Sequence, residues 1–224
     1  MQTSHTQNPI TRIDRGSPHY PARLHDLYDP PKTLYIDGDI NFLKLPMIAI
    51  VGSRSASPEG LRNAALFAQA LSNAGALILS GLAKGVDSAA HQETIKLGPQ
   101  HRTAAILGTG IDLVYPRENI NLSQAIKRQG LLISELPLGA GPQARHFPRR
   151  NRIIAALALG VVVVEAAERS GSLITARLAA DLGREVFALP GSIHSPNSAG
   201  CHLLIQQGAK LAFRPNDVLE ELHF

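Results

Sequence analysis

Short apolar runs alternate along this chain with segments of helical period, and most of the runs end in glycine or serine. The runs fall at residues 47–51, 76–80, 103–107, 131–134, 161–165 and 185–189, with a last one near 210–213. Helical patterns occupy 58–74, 86–97, 151–159 and 173–182, with a short one near 203–207. In the first of these, Leu61, Ala64, Ala65, Ala68 and Leu71 share one face. Pro58 suits its first turn and Gly75 its C-terminal cap. Strands and helices of these lengths in strict alternation require crossover connections. The pattern therefore predicts an α/β fold: a Rossmann-like, mostly parallel sheet with helices on both faces. The valines at 161–164 predict a strand buried on both sides.

The 224 residues suit one such domain, and 44% hydrophobic content supplies its core. The expected division is a disordered polar N-terminus over 1–16, then an irregular extension packing on the core over 17–45, with a short helix at 22–27. The Rossmann-like domain follows over 46–215, and a short C-terminal helix or tail over 216–224. Cys201 is the sole cysteine, so no disulfide framework is available, as expected of a reducing compartment. Residues 1–8 are polar and lack the apolar centre of a signal peptide. The apolar stretch 155–164 is interrupted by Gly160 and is too short to span a bilayer. A cytoplasmic protein without a membrane partner is the expectation.

In a parallel sheet, ligands sit beyond the carboxyl ends of the strands. Those ends carry Gly52, Ser53 and Arg54, then Ser80, Gly81 and Lys84, then Gly108 and Gly110, and lastly Ser170, Gly171 and Ser172. Helix N-termini offer unpaired N–H groups and a positive dipole end, and small residues let an anion approach them. One glycine turn alone is as well explained by tight turning. Several on one edge point to phosphate.

The phosphate is not that of a dinucleotide or of ATP. Gly108 and Gly110 begin a GxGxxG fingerprint, but Leu113 stands where its third glycine belongs, and no GxxxxGK[ST] loop is present. No cofactor is therefore expected. His194, Cys201 and His202 match no usual metal spacing, so no metal is expected either. His91 lies one helical turn from Asp87, which suggests a buried hydrogen bond between them rather than catalysis. No nucleophile–base pair is evident, so the chain reads as a binding protein and not an enzyme.

Residues 145–152 read RHFPRRNR, four arginines and a histidine in eight positions. The net charge of +4 is modest, but this local density suits a strand of several phosphates. Phe147, Arg149, Arg150 and Asn151 join the candidate site, with Phe147 placed to stack on an unpaired base. Six Phe, four Tyr and no Trp exclude a broad aromatic platform. Arg152 is expected to be structural, paired with Glu135 or Glu165.

The chain resembles the DNA-processing protein A family, also called DprA or Smf. The matching pieces are YPARLHDLYDPPKTLYIDGD, IAIVGSR, LSGLAKGVDSAAH, ILGTGIDLVYPREN, LISELPLG, FPRRNRIIAALALGVVVVEAAERSGSLITA and ALPGSIHSPNSAG. The resemblance implies an extended Rossmann fold that binds and protects single-stranded DNA and loads the RecA recombinase during natural transformation. It also implies a homodimer or larger assembly without catalytic activity. The DNA pocket carried over by position uses Gly52, Ser53, Arg54, Ser80, Gly81, Lys84, Phe147, Arg150, Asn151, Ser170, Gly171 and Ser172. Leu203, Leu204 and Ile205 are the candidate dimer edge. Neither the N-terminal helical domain nor the C-terminal winged-helix-like domain common in that family is expected to fit.

Two other readings stay open. A Rossmann-like nucleoside monophosphate phosphoribohydrolase carries PGGxGTxxE near a strand end, where this chain reads SGSLITA and PGSIHSP without the glutamate. A nucleotide-sensing module would bind a mononucleotide with no dependence on strand length.

Overall fold

The computed structural model describes residues 10–224. Among the described residues, nine strands form one sheet in the order β1-β2-β6-β5-β4-β3-β7-β8-β9. The first turn of the α/β unit runs β3 (Met47–Val51), α1 (Pro58–Asn73), β4 (Leu77–Ser80), α2 (Val86–Lys96) and β5 (Thr103–Ile106). It continues through α3 (Ile120–Gln129), β6 (Leu131–Ser134), α4 (His146–Leu157), β7 (Gly160–Val163) and α5 (Gly171–Asp181). The remaining elements are β8 (Glu185–Ala188), α6 (Ala199–Gln206), β9 (Lys210–Leu211) and α7 (Asn216–Leu222). All pairings from β6 to β9 are parallel.

Alternate residues of each central strand feed opposite faces. Ile48, Ile50, Ile78 and Val162 pack with Phe67, Leu71 and Ala90 of α1 and α2. Ala49, Val51, Leu79 and Val163 pack with Ile153, Leu173 and Leu204 of α4, α5 and α6. The chain winds outward from β3 through β4 and β5 to β6. It then returns on the other face through α4 to β7, on the opposite flank of β3. The connections leaving β3 and β7 thus part in opposite directions, which opens a crevice between their carboxyl ends.

The N-terminal region is more ordered than its sequence suggested. Two further strands, β1 (Thr11–Asp14) and β2 (Thr33–Gly38), extend the sheet antiparallel at the β6 edge. The expected disorder of 1–16 therefore does not hold for 11–14, where Ile13 is buried and the Thr33 hydroxyl donates to Asp14 at 2.7 Å. Residues 1–9 lie outside the described residues. The extension over 17–45 is fastened by buried Leu24, Leu34 and Ile36 and by the Tyr20 hydroxyl donating to the Pro31 carbonyl at 2.7 Å.

Two local expectations change. Leu204 is part of the core and Ile205 packs against it, because α6 turns that face toward β8; only Leu203 of the expected edge stays free of this cluster. His91 is fully buried but bonds Thr103 Oγ1 at 2.6 Å and not Asp87. Since that hydroxyl donates to the Ile78 carbonyl, the His91 Nδ1 carries the proton. Burial pushes its pKa down to about 3, with the nearby Arg150 charge adding to the effect.

Candidate nucleic-acid interface

A cleft of about 570 Å³ occupies the crevice beyond β3 and β7. Its walls come from the loop after β3, the start of α4 and the start of α5. Of the residues predicted from sequence, Gly52, Ser53, Arg54, Phe147, Arg150, Asn151, Ser170, Gly171 and Ser172 meet here.

The α5 end is open. Ser170 caps the helix, accepting from the Ser172 N–H at 3.3 Å, and its hydroxyl lies 2.7 Å from that of Ser172. A Cβ on Gly171 would meet nothing within 4 Å. The helix dipole, two hydroxyls and an exposed backbone therefore face the same space. Asn151 reaches across from α4, donating to the Gly171 carbonyl at 3.2 Å. Arg54 and Arg169 are exposed on either side, and neither forms an ion pair among the described residues. Arg169 directly precedes the Ser-Gly-Ser turn. It was missed because a lone arginine in a loop carries no spacing signal.

Phe147 is half-buried at the rim. Its ring lies 5.3 Å from that of Tyr115, tilted by 43°, and the Arg54 guanidinium stands 5.8 Å from its centroid. Tyr115, 47% exposed, was not picked out from sequence. Together the three side chains form an amphipathic ledge beside the α5 N-terminus.

The turns after β4 and β5 differ from expectation. Arg150 is 5% exposed, and its Nη1 donates to the carbonyls of Gly81, at 2.6 Å, and of Ile106. Burial draws its pKa down to about 10, against the opposing pull of Asp87. Asp87 in turn accepts from the Gly81 and Ala83 N–H groups at 3.1 and 3.3 Å, and burial raises its pKa. Gly81 is glycine because a Cβ there would sit 2.5 Å from the Arg150 guanidinium. Ser80 is buried with its hydroxyl on the Ile50 carbonyl. Gly108 is covered by Phe147, 2.7 Å from where its Cβ would be, and Gly110 is buried against Pro137. Ser80, Gly81, Gly108 and Gly110 are therefore taken up within the fold and do not line the cleft, while Arg150 and Asp87 reach its wall with their charges internally bonded.

The remaining cations also divide. Arg149 is exposed but pairs with Asp29 at 2.9 Å and Glu135 at 3.6 Å. Arg152 pairs with Glu135 at 2.5 Å, as one of its two expected options. Glu165 takes neither arginine: it accepts from the Ser57 N–H and hydroxyl at 2.9 and 2.5 Å, closing the N-terminus of α1. Lys84 lies outside this cleft, 2.5 Å from Glu118. Asp87, which lines the cleft, and Glu165 are thus committed to internal donors.

Comparison with known proteins decides the kinship. The sequence profile of the family described as DNA recombination-mediator protein A matches residues 11–223. The chain belongs to the DNA recombination-mediator protein A family. It is 47% identical over 205 residues to DNA processing protein DprA of Streptococcus pneumoniae, covering 92% of this chain and 72% of that protein. To Protein Smf of Escherichia coli it is 46% identical over 213 residues, covering 95% of this chain but 56% of that protein, so it spans little more than half of that relative. The X-ray structure of the Streptococcus protein superposes with a TM-score of 0.92 at 45% identity, over 97% of this chain and 76% of that one. DNA processing protein A of Helicobacter pylori, whose structure concerns its single-stranded DNA binding mode, matches with a TM-score of 0.85 at 31% identity, over 96% and 95% of the two chains. In this recombination-mediator chain the cleft lies at the switch point of the sheet. No helix among the described residues is long and apolar enough to cross a membrane.

Proposed function

We propose that this chain binds single-stranded DNA in the cleft beyond β3 and β7, and acts by binding rather than catalysis. Phosphates are held by Arg54, Arg169, Ser53 and the Ser170–Gly171–Ser172 turn, while Phe147 and Tyr115 offer ring faces to unpaired bases. The observation that carries the reading is the convergence of two arginines without carboxylate partners, an open helix N-terminus and a half-exposed ring pair in one crevice. Bases of a duplex are stacked inside it and cannot reach such a ledge, so the site favours single strands. In the cell the protein protects incoming strands and helps to load RecA recombinase during natural transformation, in the cytoplasm and as a homodimer. Leu203 is the part of the α6 edge left for the dimer contact.

Fluorescence anisotropy of a labelled oligonucleotide tests this. Salt-sensitive binding that duplex displaces poorly is expected. Release of free base from nucleoside monophosphates, or mononucleotide binding as tight as that of a strand, would overturn it.

A further inference from the structure

A second depression of about 570 Å³ lies between α1 and α2, on the face of the sheet next to the cleft. Arg54 lines both, so the two are continuous across its side chain. The depression adds Arg62 from α1, Lys84 from the loop before α2 and Lys96 from the end of α2. Arg62 is exposed and forms no ion pair among the described residues. The two lysines are held by carboxylates of the same depression, Lys84 by Glu118 at 2.5 Å and Lys96 by Glu93 at 3.3 Å. Both ammonium groups stay largely in solvent, and a polyanion arriving there can take over such exposed pairs.

We infer that a DNA strand seated in the cleft continues past Arg54 into this α1–α2 groove, with its backbone running along Arg62 toward Lys96. This path rests on the reading of the cleft given above. Three features favour it over an unrelated anion. The groove is open-ended, it begins at a side chain of the first site, and its cations come from separate places, the loop before α2, α1 and the far end of α2, about 16 Å long, and are not gathered at one point. Its floor is made by Leu61, Ala65 and Ala89, which give no stacking surface. The groove therefore reads charge only, and it accepts any base sequence.

The test compares oligothymidylates of about 5 and about 20 nucleotides, the shorter filling the cleft alone. Arg62→Ala combined with Lys96→Ala is expected to weaken binding of the long strand about tenfold at low salt and to leave the short one within about twofold. The salt slope for the long strand should become shallower by about 0.7 for each lost contact. Arg62→Glu alone should also weaken only the long strand. Equal losses at both lengths, or no loss at either, would overturn the path while leaving the cleft in place. Failure of the wild-type protein to bind either length would remove the cleft reading and the path with it.

Discussion

After β3 and β7 the chain leaves Ser53, Arg54, Ser170 and Gly171 open to a shared cleft, whereas after β4 and β5 its equally glycine-rich turns are filled by its own side chains. On the filled side Arg150 occupies the carbonyls that end β4 and β5, Asp87 takes the N–H groups beside them, and Phe147 lies over Gly108. The difference shows that small residues at a strand end have two uses. They admit a ligand, or they admit a neighbouring side chain. Which use applies is settled by what the neighbouring helices project toward the strand end, here Asp87 from α2 and Arg150 and Phe147 from α4.

The comparison is broken most severely at the two arginines. Arg150→Met should cost about 3 kcal/mol, since it strips two buried carbonyls of their donor and leaves Asp87 without its nearby cation. Arg54→Ala should change stability by less than about 0.5 kcal/mol, as for other exposed positions. Urea unfolding midpoints separate the two, and equal losses would erase the distinction between filled and open turns. Next comes acid. The His91 pKa is depressed to about 3 in the fold from 6.5, so the unfolded chain binds the extra proton first. Stability is full above pH 6.5 and falls as pH drops toward 3, by about 2 kcal/mol on reaching about pH 5. Thermal melts of His91→Gln should show a weaker acid dependence over this range.

Two smaller effects sharpen the open side. Tyr115→Leu should weaken single-strand binding by about 1 kcal/mol while leaving the salt slope unchanged, because stacking releases no counterions. A changed slope would mean that the ring positions a phosphate contact instead. Lys84→Ala should cost less than about 0.5 kcal/mol in binding, since the ammonium must first leave Glu118. Titration at fixed salt checks this, and a loss matching that of Arg54→Ala would show that DNA displaces Glu118 and takes Lys84 as a principal contact.

The parallel strands were legible because nearly all are continuous apolar runs, most with glycine or serine at the end. β1 was not, since Ile13 is its one buried residue and TRID carries no alternation that four residues can display. α3 was missed for the same kind of reason: INLSQAIKRQ fully buries only Leu122, Ser123 and Ile126, too few to mark a helical stripe. At the site, Arg150 read as a phosphate ligand because arginines cluster around it. Its spacing held a contrary signal, since three and four residues on stand Ile153 and Ile154, both buried on the same helical face. Arg149 has only Ile153 on its face and is exposed. Glu165 was one of two candidate partners for Arg152, but a carboxylate beside a helix N-terminus finds the N–H groups first.

In the proposed binding mode Arg54 meets phosphate in an open cleft. The most direct test is the salt dependence of single-stranded DNA affinity in wild type and Arg54→Ala, with folding checked in both. A slope shallower by about 0.7 in the variant, at unchanged stability, is the predicted result. An unchanged slope, or a loss of binding that follows a loss of folding, would contradict the account.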